Sequence, residues 1–385
     1  MQFKWNLSIN GVLASSVAAL LLASTSVHAI PKGPCDPKPQ DLCCEEAKPG
    51  PFAFAYPTEM ALSCPRDFYF WADGLAFQAK EDGLDFAISD TNGSGSGAIS
   101  QGEIEGFSNN SSDWDYNPGF RVGAGFIVEH DAWNLDFQWT WLNITDYKHA
   151  NVTTSGGAMI PLWLTGAGTP LHELSLRSSA VWDTSYNTLD INLGKAYHVT
   201  RHFTMQPHFG VRAGWIDQHF SVDYNGDIGT SRVISHNDND FWGIGTRAGF
   251  TSDWILGKGW CLFGNAAFAM LFGKFEIGQS MTYPTDISTD GFDLDHHFYQ
   301  NVPNFEMALG LGWSRYFDKN KYHIALKAAY EFHEWFDQLQ LRKFSSGSTG
   351  IVGGAAASTG AYASDVISRG NLTLNGFSLR LKLDI

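Results

Sequence analysis

The stretch Tyr322–Asp337, YHIALKAAYEFHEWFD, decides the fold. Its even positions Tyr322, Ile324, Leu326, Ala328, Tyr330 and Phe332 are apolar or aromatic, while His323, Lys327, Glu331, His333 and Asp337 on the odd positions are polar or ionisable. A strict period of two marks an extended strand with one apolar and one polar face, because a helix would scatter those charges round its circumference. From Tyr322 to Phe332 the path is ten steps of about 3.3 Å, or roughly 23 Å in height at a tilt of about 45°. Aromatic residues open and close that run. The dimensions are those of the lipid-facing band of an outer-membrane barrel with its aromatic girdles, so the apolar face is expected to meet lipid.

The same alternation recurs outward from this strand. A tight turn at Asp318 to Asn320 leads back to Phe305–Phe317, and a Ser/Gly/Ala loop, Phe344 to Gly370, leads on to a last strand in which Phe377, Leu379, Leu381, Leu383 and Ile385 alternate with Ser378, Arg380, Lys382 and Asp384. Upstream, the patterned segments are Phe68–Lys80, Phe120–Val128, Leu135–Trp141, Tyr186–Val199, Phe203–Trp215, Phe241–Trp254 and Trp260–Phe275. Lys195 interrupts one apolar face near its turn, where a lysine can snorkel. Pro207 removes a ladder donor from another. Connections alternate between tight turns and long Gly/Ser/Asn loops, the sidedness of a bacterial outer-membrane barrel. The expectation is an all-β, antiparallel up-and-down transmembrane barrel of about 10 strands, with 12 as the alternative if a long loop hides a hairpin. A soluble β-sandwich fits the composition too, but need not segregate its connections so cleanly.

Residues 1–29 carry Lys4, the apolar run Gly11–Ala23 and Val27-His28-Ala29, the pattern of a cleaved secretory signal peptide. That run is shorter than the roughly 20 residues of a spanning helix, and no later run is longer, so a membrane protein here has to be a barrel. Residues 30–66 are rich in Pro and Cys and read as an irregular periplasmic segment, and 67–385 as the barrel. The formal net charge of −15 and the lack of a basic stripe argue against a nucleic-acid partner.

At Asp67 the residues DFYFWADGLAFQAKEDGLDFAI resemble the first strand of the major outer membrane protein family, in its Legionella-type and chlamydia-related forms. GPCDP at Gly33–Pro37 and Cys43-Cys44 resemble that family's cysteine-bearing start, NPGFRVGAGF and WNLDFQWTWL its next hairpin, and GFSLRLKLD its closing strand. The resemblance implies an abundant porin of the bacterial outer membrane, surface-exposed through its loops and often disulfide-linked to neighbours. Five cysteines are fewer than chlamydial members carry, and the chain ends on Ile385 where such barrels commonly end on Phe.

Counting inward from each tight turn gives a further reading. Arg121, Asp190, Arg212, Arg247, Glu306 and Glu331 each fall about nine to eleven residues from their turn, with inward parity at uniform tilt. They should occupy one level of the lumen, arginines of the second, fifth and sixth strands facing acids of the fourth, eighth and ninth. Such a ring is either a constriction whose transverse field orders polar solutes, or a salt-bridge network that fills and blocks a narrow barrel. The first makes the protein a porin for passive diffusion of small hydrophilic solutes and ions. The second makes it a closed structural or adhesive barrel.

Some ten-stranded outer-membrane barrels are proteases with acidic and histidine residues at the outer rim, and Asp295-His296-His297 and His333-Glu334 are expected near that rim. Adjacent strand residues point to opposite faces, so neither cluster converges by itself and no enzymatic activity is expected. Sequons at Asn110, Asn143 and Asn151 are most simply accidental.

The disulfide candidates are Cys35, Cys43, Cys44, Cys64 and Cys261; their odd number leaves at least one thiol for an intermolecular bond or none. No CxxC pair accompanies Cys43-Cys44, which argues against zinc. Cys261, just after a tight turn and of inward parity, should lie near the periplasmic rim, within reach of the leader cysteines or another envelope protein. Expected partners are outer-membrane lipid, further copies of the chain in a homo-oligomer such as a trimer, disulfide-linked envelope proteins and, through the loops, a host-cell surface. No cofactor is expected.

Overall fold

The computed structural model describes residues 68–90, 102–107, 116–128, 133–151, 159–163, 175–226, 232–282, 292–318, 321–347 and 362–385. The signal peptide, the Pro/Cys-rich segment with Cys35, Cys43, Cys44 and Cys64, the sequon at Asn110 and the turn residues 130–132 lie outside them.

Ten long strands form the wall. They are β1 (Phe68–Glu81), β2 (Asn117–Val128), β3 (Trp133–Asn151), β4 (Ser175–Lys195) and β5 (Phe203–Gly226), followed by β6 (Arg232–Gly257), β7 (Trp260–Thr282), β8 (Phe292–Phe317), β9 (Tyr322–Gly347) and β10 (Tyr362–Asp384). Each pairs antiparallel with its neighbours in sequence, and β1 pairs with β10 from Tyr69 opposite Asp384 to Glu81 opposite Leu372, which closes the sheet. Closure leaves no free edge along the wall, the condition for a sheet to sit in lipid. The short strand Asp85–Asp90 pairs with both Gly102–Gly106 and Met159–Pro161, and Met159 with Ser175 of β4, but none of the three adds a strand to the closed wall, so the described residues form a ten-stranded rather than a twelve-stranded barrel. One tight turn is built by Gly257, Lys258 and Gly259, all at positive φ (100°, 55° and 82°), which glycine adopts at little steric cost.

The outward face carries an apolar belt. Phe209 and Val211 on β5, Ile244 and Phe250 on β6, Phe268 and Phe272 on β7, and Leu309 and Leu311 on β8 all point outward and are exposed. Leu326 and Tyr330 on β9 and Phe377 and Leu379 on β10 continue it. Burying such a surface is favourable only against an apolar medium. Lys195, at the belt's turn-side edge, lies over the Trp133 ring at 5.8 Å, as a snorkelling lysine should.

The strands run well past this belt, and there the pattern inverts. On β5, outward Phe209, Val211, Ala213 and Trp215 give way to outward Asp217, His219, Ser221 and Asp223, while the inward positions change from Arg212 to Ile216, Phe220, Val222 and Tyr224. The same exchange falls at Phe241-Trp242 on β6, where Trp242 is exposed and Phe241 buried. Above the membrane the outer face meets water and the inner face meets a packed core, so hydrophobicity changes sides while the pleat continues unbroken. This inversion is why the strands are longer than their apolar alternation suggested: β5 ends at Gly226, not Trp215, and β9 at Gly347, not Asp337.

The core inside the outer half is aromatic. Trp335 packs edge-on against Tyr186 (5.9 Å) and Phe241 (6.5 Å), and Phe241 lies 4.8 Å from Phe275. Farther out, Phe107 touches Trp182 and Phe220 at 6.0 Å each, and Trp163 meets Phe220 at 5.5 Å. Residues between the strands thus fold into the lumen: the Tyr224 hydroxyl donates to the Phe86 carbonyl (2.6 Å), and Ser368 Oγ donates to the Gly83 carbonyl (3.1 Å). Because Tyr224 stands on β5 and Ser368 on β10, this segment bridges opposite walls and acts as a plug.

Candidate functional site

Immediately on the turn side of the plug lies a layer of charge. Arg121 on β2 donates from Nη2 to Glu331 Oε2 on β9 (2.8 Å) and from Nη1 to Glu331 Oε1 and Asp73 Oδ2 (3.1 Å each). Arg212 on β5 grips Asp190 on β4 through Nε (2.6 Å) and Nη2 (2.7 Å), and its Nη1 donates to Asn304 Oδ1 (2.6 Å) and to Glu306 on β8. Arg247 on β6 donates to Glu306 Oε2 (2.9 Å) and Asn192 Oδ1 (2.9 Å). His333 closes the chain, with Nδ1 3.1 Å from Glu306 Oε1 and Nε2 3.0 Å from Glu331 Oε2. Both ring nitrogens face carboxylates, an arrangement that only the imidazolium satisfies with two donors.

All six residues counted from the turns meet in this layer, and none is more than 7% exposed. Their pairing follows the expected strands, Arg121 with the ninth, Arg212 with the fourth and eighth, and Arg247 with the eighth. Counting missed Asp73, which takes both Arg121 and Arg380, and the polar Asn304, Asn192 and Thr140. It also misplaced His333, expected at the outer rim beside Glu334. The structure puts His333 in the layer because it shares inward parity with Glu331, two residues away.

Reach across the barrel depends on small neighbours. Gly245 stands opposite Arg212 and Gly210 opposite Arg247, while β7, between Arg247 and Glu306, offers only Ala267 and Ala269 at this level. A Cβ at Gly245 would run into the Met270 carbonyl oxygen. Long charged side chains therefore cross above short ones, and the layer packs tightly instead of lining an open ring.

The plug rests directly on the layer. Phe77, 1% exposed, lies 5.4 Å from the His333 ring, and Tyr186 and Trp335 follow above. A cavity of about 280 Å³ reaches from the layer, whose arginines, Glu306, Glu331 and His333 line its upper part, toward the turns, where Asp136, His208, Asp253, Lys327, Arg380 and Lys382 line it. Cys261, 9% exposed, sits at the turn-side end of β7 opposite Gly312, as its parity required. Asp295 and His297 share the outward face of β8, and His296 points the other way. Among the described residues no group of three His, Cys, Asp or Glu side chains is arranged to hold a metal ion.

A family model, that of the Legionella pneumophila major outer membrane protein precursor, matches residues 64–385. No curated protein matches the sequence. Among solved structures, the outer membrane protease OmpT of Escherichia coli aligns at 10% identity and a TM-score of 0.36, over 85% of this chain and 98% of that one. A Pseudomonas aeruginosa FadL homologue aligns at 7% and 0.22, over 82% and 89%, and the P. putida toluene transporter TodX at 7% and 0.20, over 83% and 90%.

Proposed function

This chain belongs to the family of the Legionella pneumophila major outer membrane protein and is an outer-membrane β-barrel, and from that premise we propose that its lumen is closed by its own side chains. The function is then that of a structural envelope protein that displays its outer loops at the cell surface and catalyses nothing. The observation that carries this reading is the unbroken chain Arg380–Asp73–Arg121–Glu331–His333–Glu306–Arg212–Asp190, whose interior members are nearly all buried and which Phe77 and Trp335 cover. A buried charge layer with every member paired is stable as it stands. Opening it to a solute would break these pairs together and require water to take the place of each partner.

Diffusion of small hydrophilic solutes, the porin reading, keeps one observation in its favour. The turn-side half of the lumen is polar and holds a cavity of about 280 Å³, so half of a pathway exists. Liposome swelling separates the two. Vesicles carrying the purified chain should shrink and remain shrunken in an isotonic-to-hypertonic shift with glycine or arabinose; reswelling at a rate that scales with protein content would establish the porin reading instead.

A further inference from the structure

We propose that the turn-side cavity is a binding site for a small free anion, a carboxylate or phosphate, taken from the periplasmic solution. Its lining carries six basic residues, Arg121, Arg212, Arg247, Lys327, Arg380 and Lys382, against the four acids Asp136, Asp253, Glu306 and Glu331. The carboxylates that balance the deep arginines, Asp73 and Asp190, stand behind them at 3% and 0% exposure and do not line the space. An excess of positive lining is unexpected in a chain whose formal net charge is −15. The volume of about 280 Å³, against roughly 30 Å³ for each water in the liquid, admits a small solute and not a polymer.

Three of the lining cations are exposed enough to meet a solute. Lys327, Arg380 and Lys382 have side chains 22%, 32% and 31% exposed, whereas those of Arg121, Arg212 and Arg247 are 7% or less. Lys327 stands directly opposite Arg380 in the β9–β10 ladder, and Lys382 follows Arg380 on the same face. Like charges opposite each other in a ladder are destabilising, yet the surroundings hold all three in place. Lys327 lies over Phe263 (4.8 Å), Arg380 over Trp71 (5.6 Å) and Lys382 over Tyr69 (4.3 Å). Each is also tethered to one acid, Asp253 at 2.8 Å, Asp73 at 2.7 Å and Asp384 at 2.6 Å. Asp136 is occupied by the Tyr69 hydroxyl.

An anion seated among the three heads would offset the repulsion that the tethering acids leave, and Arg380, whose Nε and Nη2 hold the two oxygens of Asp73, keeps its Nη1 for one oxygen of a carboxylate or phosphate. Low-dielectric walls on every side strengthen that attraction. The site needs no through-path, so it stands whether or not the barrel conducts.

The test is calorimetric titration of the full chain in detergent with inorganic phosphate, and separately with acetate. Saturable binding is expected, weakened about tenfold or more in K327Q/R380Q/K382Q, where two or three charge-assisted hydrogen bonds are lost. Because the triple variant removes the cross-lumen pair to Asp253 and can fail to fold, Lys382→Gln alone serves as the second variant. Its partner Asp384 is a near neighbour on the same strand, and it should weaken binding while keeping the wild-type far-ultraviolet spectrum. Lys274→Gln, on the outer face, should bind as wild type. Absence of saturable binding to the wild-type chain, or undiminished binding in the triple variant, would overturn the site.

Discussion

The charged layer and the outer plug fill one barrel by opposite means. In the layer, Arg121, Arg212, Arg247, Glu306 and Glu331 reach across the lumen from different strands and are held by direction and charge. In the plug, Trp335, Phe241, Phe275, Trp182 and Phe220 fill space by volume, helped by chain that folds in from between the strands. The difference follows from what surrounds each level. Opposite the lipid belt the wall is apolar outside, and the polar residues that remain must face inward and satisfy one another. Above the belt the wall is wet outside, and the lumen takes over the role of a soluble protein's core. The two halves therefore fail differently: loss of a partner in the layer strands a buried charge, whereas loss of a ring in the plug leaves a void.

Arg212→Ala should have the largest effect. It leaves Asp190 without its guanidinium and removes one of two arginines from Glu306, both carboxylates being buried. The expected loss is about 3–5 kcal/mol, read as a lower urea midpoint for unfolding from detergent micelles. An unchanged midpoint would mean that the layer is hydrated and the comparison false. Trp335→Ala comes next, at about 3 kcal/mol for the void left among Tyr186 and Phe241. It should leave the turn-side half intact, so hydrogen exchange should quicken at the outer ends of β4, β6 and β9 but not around Arg247. Smallest is Tyr224→Phe, which removes one hydrogen bond to the Phe86 carbonyl. A loss of about 1 kcal/mol should appear as faster proteolysis near residues 83–90 with little change in the global midpoint.

The comparison also explains what the sequence could disclose. Alternation revealed the belt because lipid demands an apolar face over its whole height, and counting from the turns found six layer residues because strands of uniform tilt bring equal counts to equal levels. The outer half stayed hidden at stretches such as Ile216-Asp217-Gln218-His219-Phe220, where the apolar phase shifts by one residue. There a search for a continuing apolar outward face finds acids and histidine and stops. The signal that marks the shift is the adjacent pair Trp215-Ile216 or Phe241-Trp242, one ring at the lipid edge and its neighbour in the plug. Asp73 escaped the count because β1 has no hairpin turn before it to supply an origin. His333 was legible by parity with Glu331, but its neighbour Glu334 drew it to the rim. The small residues Gly245, Ala267 and Ala269 gave no sign of their part, since their use is to be absent from the path of another side chain.

The central claim, that layer and plug together close the barrel, is tested most directly by ion conductance of the full chain inserted in a planar bilayer under applied voltage. Closure predicts insertion without steady current, the bilayer keeping its bare resistance. Reproducible unitary steps of steady current from the unmodified chain would contradict it.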